Sequence, residues 1–241
     1  MLTSTIVILI AFTVGAAFVQ RVTGFGFGIF IMTVLPHLLP SYGEATALSG
    51  LLAMLTSAVV VARMWRHINW RRLLPILGVF IVVSVFAIEF LSIMRRDTLN
   101  VLLGITLIVA AVWFWFFSDR VRIRPNFATQ AGLGTLSGLM GGFFGMQGPP
   151  AVLYFLAVSD TKERYIAIAQ AYFLIGNLLM TLYRGHAGFI SPLVVQSWCV
   201  ACPAVFLGSW IGSRVYRHIP LATLRRIVYA YIGLSGVIAL L

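Results

Sequence analysis

The sequence predicts an all-α integral membrane protein built from two repeats of inverted topology. Hydrophobic residues make up 61% of the 241 residues and charged residues only 10%, whereas a soluble domain carries roughly 25% charged residues. The apolar residues form long stretches, and about 20 such residues cross a bilayer as a helix. A glycine-rich interruption lies near the start of each half of the chain. We therefore expect each repeat to be a glycine-broken helical hairpin followed by three transmembrane helices.

The two halves divide into elements in the same order. The first repeat is predicted over 1–117, a cytoplasmic link over 118–126 and the second repeat over 127–241. Each repeat opens with a broken hairpin, at 2–39 and at 127–158. The plain spans that follow are 43–63, 73–94 and 98–117 in the first repeat, and 163–183, 191–212 and 221–241 in the second.

The positive charges indicate that each broken segment turns back instead of crossing the membrane once. Cytoplasmic loops collect Lys and Arg. With single crossings the loop charges divide eight against eight, which gives no orientation. With hairpins, thirteen lie on one side, Arg21 lies near a tip, and only Arg95, Arg96 and Arg184 lie opposite. This bias predicts that both termini are extracytoplasmic and that the two repeats are inverted, and we expect the bacterial-type inner (cytoplasmic) membrane as the location.

The two glycine-rich segments are the candidate functional site. The first runs from Gln20 to Gly28 (QRVTGFGFG) and the second from Gly141 to Pro150 (GGFFGMQGPP). Broken apolar segments at matching positions of two halves point to a transport site, because non-helical backbone at membrane depth is tolerated only beside protein or a water-filled cavity. A new helix is expected after each break, and helix starts attract anions.

The predicted substrate-binding residues lie at these tips and on one later span. At the tips they are Gln20, Arg21, Thr23, Gly24, Gly26, Gly28, Gly145, Met146, Gln147 and Gly148. Arg21 either binds an anion at membrane depth or lies at the interface and reaches water. The neutral polar side chains either contact substrate or satisfy the hairpin backbone. Gln170 and Asn177 share one face of the span 163–183, where they either line a pathway or bond between helices.

Other classes of function are disfavoured by what the spans contain. Cys199 and Cys202 form a lone C-x-x-C, and a structural zinc site needs four ligands, so we expect no metal and no cofactor. No nucleophile–base pair occurs in the spans, which disfavours an enzyme. The formal charge of +11 does not indicate nucleic acid, because the arginines lie between apolar spans. The expected partners are the lipid bilayer and a small anion, and glycine stripes leave a homodimer open.

The order of the elements and the paired motifs resemble the TauE/SafE sulfite exporter family of small membrane transporters. The resemblance covers nearly the whole chain and rests on Gln20 to Gly28 in the first unit and Gly138 to Pro150 in the second. It implies transport of a small anion, notably sulfite or an organosulfonate such as sulfoacetate. The alternatives are transport of another small carboxylate or sulfur oxyanion, a membrane-embedded enzyme, and a helix-packing scaffold.

Overall fold

The computed structural model describes residues 3–117 and 125–215 and seven positions nearer the C-terminus. Those seven are Arg226, Ala230, Gly233, Leu234, Gly236, Val237 and Leu240. Within the described part of the chain every regular element is a helix. Five of these helices are long and apolar enough to cross a membrane, which confirms the predicted class of an all-α, multi-pass membrane protein.

Ten α-helices occur along the described residues, with a short 3₁₀ turn at Trp65–His67. They are α1 (Thr3–Thr23), α2 (Phe27–Ile31), α3 (Leu35–Leu38), α4 (Tyr42–Met64), α5 (Trp70–Ile93), α6 (Arg96–Phe117), α7 (Phe127–Phe144), α8 (Gly148–Val158), α9 (Lys162–His186) and α10 (Pro192–Val215). The predicted plain spans therefore appear as α4, α5, α6, α9 and α10. The predicted span 221–241 lies outside the described residues apart from the seven positions named above.

Side-chain caps set the starts of four of the long helices. The Ser41 hydroxyl accepts a hydrogen bond from the Glu44 N–H, and the Glu44 carboxylate accepts one from the Ser41 N–H. This reciprocal capping box satisfies two N–H groups that a helix start leaves unpaired. The side chains of Asn69, Asn126 and Thr161 cap α5, α7 and α9 by accepting from the N–H three residues on. Each helix start is thus determined locally by residues next to the apolar span.

Both glycine-rich segments break the helix and reverse the chain. Gly24 and Gly26 have φ angles of 86° and 97° between α1 and α2, and Gly145 has a φ of 66° after α7. Glycine reaches this left-handed region without the steric penalty that other residues incur. α2 packs back on α1, and α8 packs back on α7. Each break is therefore a turn, and we call them the first turn (Gly24–Gly28) and the second turn (Gly145–Gly148).

The returning limb of the first hairpin differs from the single new helix that the sequence predicted. It is divided into the short helices α2 and α3. The Thr33 hydroxyl bonds the Phe30 carbonyl oxygen at 2.7 Å, which competes with helix continuation. Pro36 also lacks the N–H that a continuous helix would need there. The second hairpin returns as one helix, α8, of 11 residues.

The two central spans, α4 and α9, pack against each other and are the most buried of the five. Around this pair, α1 packs on α10 and α5 packs on α7. α6 meets the C-terminal region where Gly104 and Ile108 approach Gly236. The outer faces of α5 and α6 expose large apolar side chains, as expected of surfaces that contact lipid. They include Val82, Phe86, Phe90, Val101, Ile105 and Val109.

Candidate binding site at the two glycine turns

The first and second turns touch each other inside the protein. A Cβ atom added at Gly28 would overlap the Gly145 carbonyl oxygen. On the other side of the contact, the Phe25 ring lies 3.4 Å from the position that a Cβ of Gly148 would take. The backbones approach this closely because glycine has no side chain at either contact. Segments from the two halves of the sequence therefore form one site.

A small cavity of about 30 Å³ lies at this contact. Its lining includes eight of the predicted site residues, namely Gln20, Gly26, Gly28, Gly145, Met146, Gln147, Gly148 and Asn177. Phe27, Ile29, Ala53 and Phe173 complete the lining. Ala53 is the central residue of α4, and the centre of α9 lies between Phe173 and Asn177. The cavity thus lies halfway along both central spans, and its volume leaves room for roughly two or three water molecules.

Gln20 ties the first turn to both central spans. Its Nε2 donates to the Thr56 hydroxyl at 2.6 Å and approaches the Ser57 hydroxyl and the Gln170 Oε1 at 3.3 Å each. Gln170 in turn donates through its own Nε2 to the Gly24 carbonyl oxygen at 2.7 Å. Both glutamines are buried. Of the two sequence-based interpretations of Gln170, the structure favours a bond between helices, because this side chain is absent from the cavity lining.

Thr23 and Gly24 shape the first turn without lining the cavity. The Thr23 hydroxyl lies 2.6 Å from the Phe25 carbonyl oxygen and 2.9 Å from the Val19 carbonyl oxygen. A Cβ at Gly24 would lie 3.4 Å from the Tyr165 hydroxyl oxygen. These contacts satisfy backbone groups that the break in the helix would otherwise leave unpaired.

The second turn holds a polar side chain of the cavity, Gln147, that is only partly satisfied. The Ser137 hydroxyl donates to the Gln147 carbonyl oxygen at 2.5 Å and lies 2.7 Å from the Tyr172 hydroxyl. The Gln147 Nε2 reaches the Phe173 carbonyl oxygen only at 3.4 Å, and its Oε1 is buried without a partner. The side-chain amide is therefore available to a ligand in the cavity.

The start of α8 offers fewer backbone donors than a typical helix start. A helix leaves its first four N–H groups without intrahelical partners. Here Pro149 and Pro150 occupy the second and third helical positions, and proline has no N–H. The donors that remain at this end are the N–H groups of Gln147 and Gly148.

Arg21 lies on the outside of the structure and not in the cavity. It is exposed, and its side chain packs against Gly212 of α10. Successive helical residues point about 100° apart, so the burial of Gln20 toward α4 turns Arg21 away from the site. This placement argues against the sequence-based assignment of Arg21 to the anion and favours the alternative interpretation, an anchor at the interface.

The buried cation of this region is Arg184, which the sequence analysis counted as a loop charge. Its side chain has no exposed surface. Its Nη2 donates to the carbonyl oxygens of Gly141 at 2.8 Å and Gly142 at 3.0 Å, and its Nη1 lies 3.4 Å from the Thr46 carbonyl oxygen. No carboxylate of the described residues forms an ion pair with it. Arg184 therefore joins the end of α7 to α4.

A pattern in the sequence pointed to Arg184. Gln170, Asn177, Thr181 and Arg184 follow one another at spacings of seven, four and three residues, so they share one face of α9. The predicted span ended at 183, whereas α9 continues to His186. Extending the helix by one turn brings the arginine into the same polar stripe.

The remaining chemically reactive side chains are separate from this cavity. Cys199 and Cys202 are free cysteines on α10. Glu89 accepts a hydrogen bond from the Tyr183 hydroxyl near the ends of α5 and α9. In the described residues no group of three His, Cys, Asp or Glu side chains is placed to hold a metal ion.

An all-helical membrane protein with two helix breaks meeting at a buried polar cavity has the features of a secondary transporter. A profile of the family described as "Sulfite exporter TauE/SafE" matches residues 7–238, so the chain belongs to this family. The chain is also similar to a Cupriavidus necator protein described as "Probable sulfite/organosulfonate exporter TauE". The two are 26% identical over 214 residues, which cover 87% of this chain and 84% of that protein. No solved structure matches the chain.

Proposed function

We propose that this protein moves a small anion across the cytoplasmic membrane and binds it between the first and second turns. Sulfite, or an organosulfonate such as sulfoacetate, is the proposed substrate, since the Cupriavidus relative is described as an exporter of such anions. The observation that carries the proposal is the cavity itself. Two turns from the two halves of the chain enclose it halfway along the central spans, and no Asp or Glu occurs in its lining.

The polar groups of the cavity suit an oxyanion. Gln147 and Asn177 contribute side-chain amides, and each amide NH₂ has two donors, whereas the Gln20 Nε2 is already bonded to the central spans. The N–H groups of Gln147 and Gly148 lie at the start of α8, where the aligned peptide dipoles leave a partial positive charge. The α2 helix has only five residues, so α8 is the stronger of the two helix starts. Thr23, Gly24 and Gln170 hold the first turn in place.

The size of the cavity implies a change of shape during transport. A volume of about 30 Å³ leaves room for roughly two or three water molecules, which is less than an organosulfonate such as sulfoacetate needs. We therefore expect the first and second turns to separate when such an anion binds, and this separation is the step that would open the site to one side of the membrane. The absence of a side chain at Gly28 permits the closed contact.

The packing of the helices supports the proposed inverted repeats. In the predicted units, α1 and α7 occupy equivalent positions, and so do α4 and α9, α5 and α10, and α6 and the last span. The contact of α1 with α10 is then equivalent to that of α7 with α5, while α4 contacts its own equivalent, α9. Such contacts, in which each pair between the units is matched by an equivalent pair, are expected of two units related by a pseudo-twofold axis.

The burial of Arg184 strengthens the charge bias behind the proposed topology. A buried guanidinium bonded to helix carbonyls is not a loop charge, so it leaves the count. Thirteen loop charges then face two, Arg95 and Arg96. From the positive-inside rule we therefore propose that both termini lie outside and that the link 118–126 lies in the cytoplasm.

Flux of radiolabelled sulfite into proteoliposomes tests the proposed function. Liposomes that contain the purified protein should accumulate sulfite faster than empty liposomes, and excess unlabelled sulfite or sulfoacetate should compete. Taurine and lactate serve as zwitterionic and carboxylate comparisons. If neither sulfite nor sulfoacetate is transported or competes, the proposed substrate class is wrong.

A matched pair of glycine variants tests where the anion binds. Gly28→Ala places a methyl group against the Gly145 carbonyl oxygen and should abolish flux. Gly78→Ala is the control, because Gly78 lies in α5 with open space around its Cβ position. Equal flux in the two variants would place the anion elsewhere.

A further inference from the structure

Arg184 is a buried positive charge without a negatively charged protein partner among the described residues. Its guanidinium carries five N–H donors, and the three hydrogen bonds that it makes all go to carbonyl oxygens. Its Nε is buried without a partner. Burial of a cation is costly unless an anion compensates it, and the end of α7 supplies only the partial negative charge of a helix C-terminus.

Two hydroxyl groups, one on each central span, are also buried without hydrogen-bond partners. They belong to Ser49 on α4 and Thr181 on α9, and both side chains are more than nine-tenths buried. The Ser49 hydroxyl lies 3.6 Å from the position that a Cβ of Gly145 would take. It therefore faces the second turn. These donors have no use within the described protein, which points to a ligand.

Polar atoms of Asn177, Thr181 and Arg184 lie close around Gly50 of α4. A Cβ at Gly50 would lie 3.0 Å from the Thr181 Oγ1, 3.7 Å from the Asn177 Oδ1 and 3.8 Å from the Arg184 Nη1. We call Ser49, Asn177, Thr181 and Arg184 the Arg184 cluster. Asn177 also lines the cavity between the two turns, so the cluster and the cavity are adjacent along α9.

We propose that the Arg184 cluster is a second anion-binding position, next to the cavity and toward the Arg184 end of α9. This inference rests on the proposed function and gives the transported sulfite or sulfonate its charged partner. The anion would accept hydrogen bonds from the Arg184 Nε–H and from the hydroxyls of Ser49 and Thr181. A path along the polar face of α9 would then lead from the neutral donors of the cavity to a cation.

A purely structural role for Arg184 predicts different behaviour. If Arg184 only holds the end of α7 against α4, its replacement lowers thermal stability, and conservative changes at Ser49 and Thr181 leave anion binding unchanged. If the cluster binds the anion, those same changes weaken binding while the melting temperature without anion is preserved. Thr181→Val is the sharpest variant, because it removes a hydroxyl that has no protein partner and keeps the shape.

Isothermal titration of the full-length protein with sulfite, and separately with sulfoacetate, decides between the structural role and the anion-binding role of the Arg184 cluster. We expect Thr181→Val and Ser49→Ala to raise the dissociation constant about 3- to 10-fold, and Arg184→Lys to raise it about 10- to 100-fold. Arg21→Lys is the matched exposed control for the arginine. Gly50→Ala should weaken binding by placing a methyl group among the polar atoms of the Arg184 cluster, whereas Gly78→Ala should not.

Melting temperatures measured without anion show which variants remain folded. If Thr181→Val, Ser49→Ala and Gly50→Ala melt like the wild type and bind both anions like the wild type, the cluster is not a binding position. In that case wild-type flux would still support the proposed function. A wild type that neither binds nor transports sulfite or sulfoacetate would overturn the proposed function and this inference together.

Discussion

Gln20 on α1 and Gln170 on α9 form an amide pair that crosses between the two halves of the sequence. The Gln20 Nε2 lies 3.3 Å from the Gln170 Oε1, and Gln170 donates to the Gly24 carbonyl oxygen at 2.7 Å. Because Gln20 also bonds the Thr56 hydroxyl, the first turn is held to both central spans. The position of the turn therefore depends on two side chains that are far apart in sequence.

Replacing Gln170 should destabilise the protein through the first turn. Gln170→Leu leaves the Gly24 carbonyl oxygen without its partner in a buried site, which costs about 1–3 kcal/mol. Reversible unfolding in mixed micelles measures this loss of free energy. Gln196→Leu is the control, because Gln196 is exposed on α10. Equal stability of the Gln170→Leu variant and the wild type would show that the amide pair does not hold the turn.

A comparison of alanine variants at Gly26 and Gly188 separates the effect of backbone strain on sulfite flux from the effect of a change in the cavity. Both have left-handed φ angles, 97° and 80°, so alanine should destabilise each by roughly 1–2 kcal/mol. Only Gly26 lines the cavity. We expect Gly26→Ala to lose sulfite flux and Gly188→Ala to keep it, measured at matched protein density in proteoliposomes. Loss of flux in both variants would mean that strain alone explains the effect.

Neutralising Arg21 should leave anion binding unchanged. The side chain is exposed against α10 and outside the cavity lining, so Arg21→Gln removes a charge that does not contact the proposed anion position. Titration of the variant with sulfoacetate checks this. A loss of affinity of about ten-fold, the size expected for one charge-assisted bond, would show that Arg21 contributes to anion binding.

Two single cysteines test whether the second broken segment turns back. His67 and Ala187 are both exposed. In the hairpin topology they lie on opposite sides of the membrane, whereas a single crossing by 127–158 puts them on the same side. In a background with Cys199→Ser and Cys202→Ser, an impermeant thiol reagent added to intact cells should label Ala187→Cys and spare His67→Cys. Labelling of both, or of neither, would contradict the inverted topology.

The sequence alone predicted the helical class, the approximate positions of five of the plain spans and the two places where the helix breaks. These features are local. Continuous apolar stretches of about 20 residues cross a membrane as helices, caps such as Ser41 with Glu44 start a helix wherever it packs, and glycine at positions 24, 26 and 145 permits a φ that other residues avoid. Most of the residues that line the cavity could also be predicted from the sequence, because they belong to the two turns.

Only the tertiary structure decided which polar side chains face the site. Arg21 and Arg184 both lie near the ends of apolar helices, and sequence reasoning put the first at the site and the second in a loop. The packing of α1 against α10 turns Arg21 outward, and the packing of α9 against α4 buries Arg184 beside the second turn. Which face a helix presents depends on its neighbours, and for these helices the neighbours come from the other half of the chain.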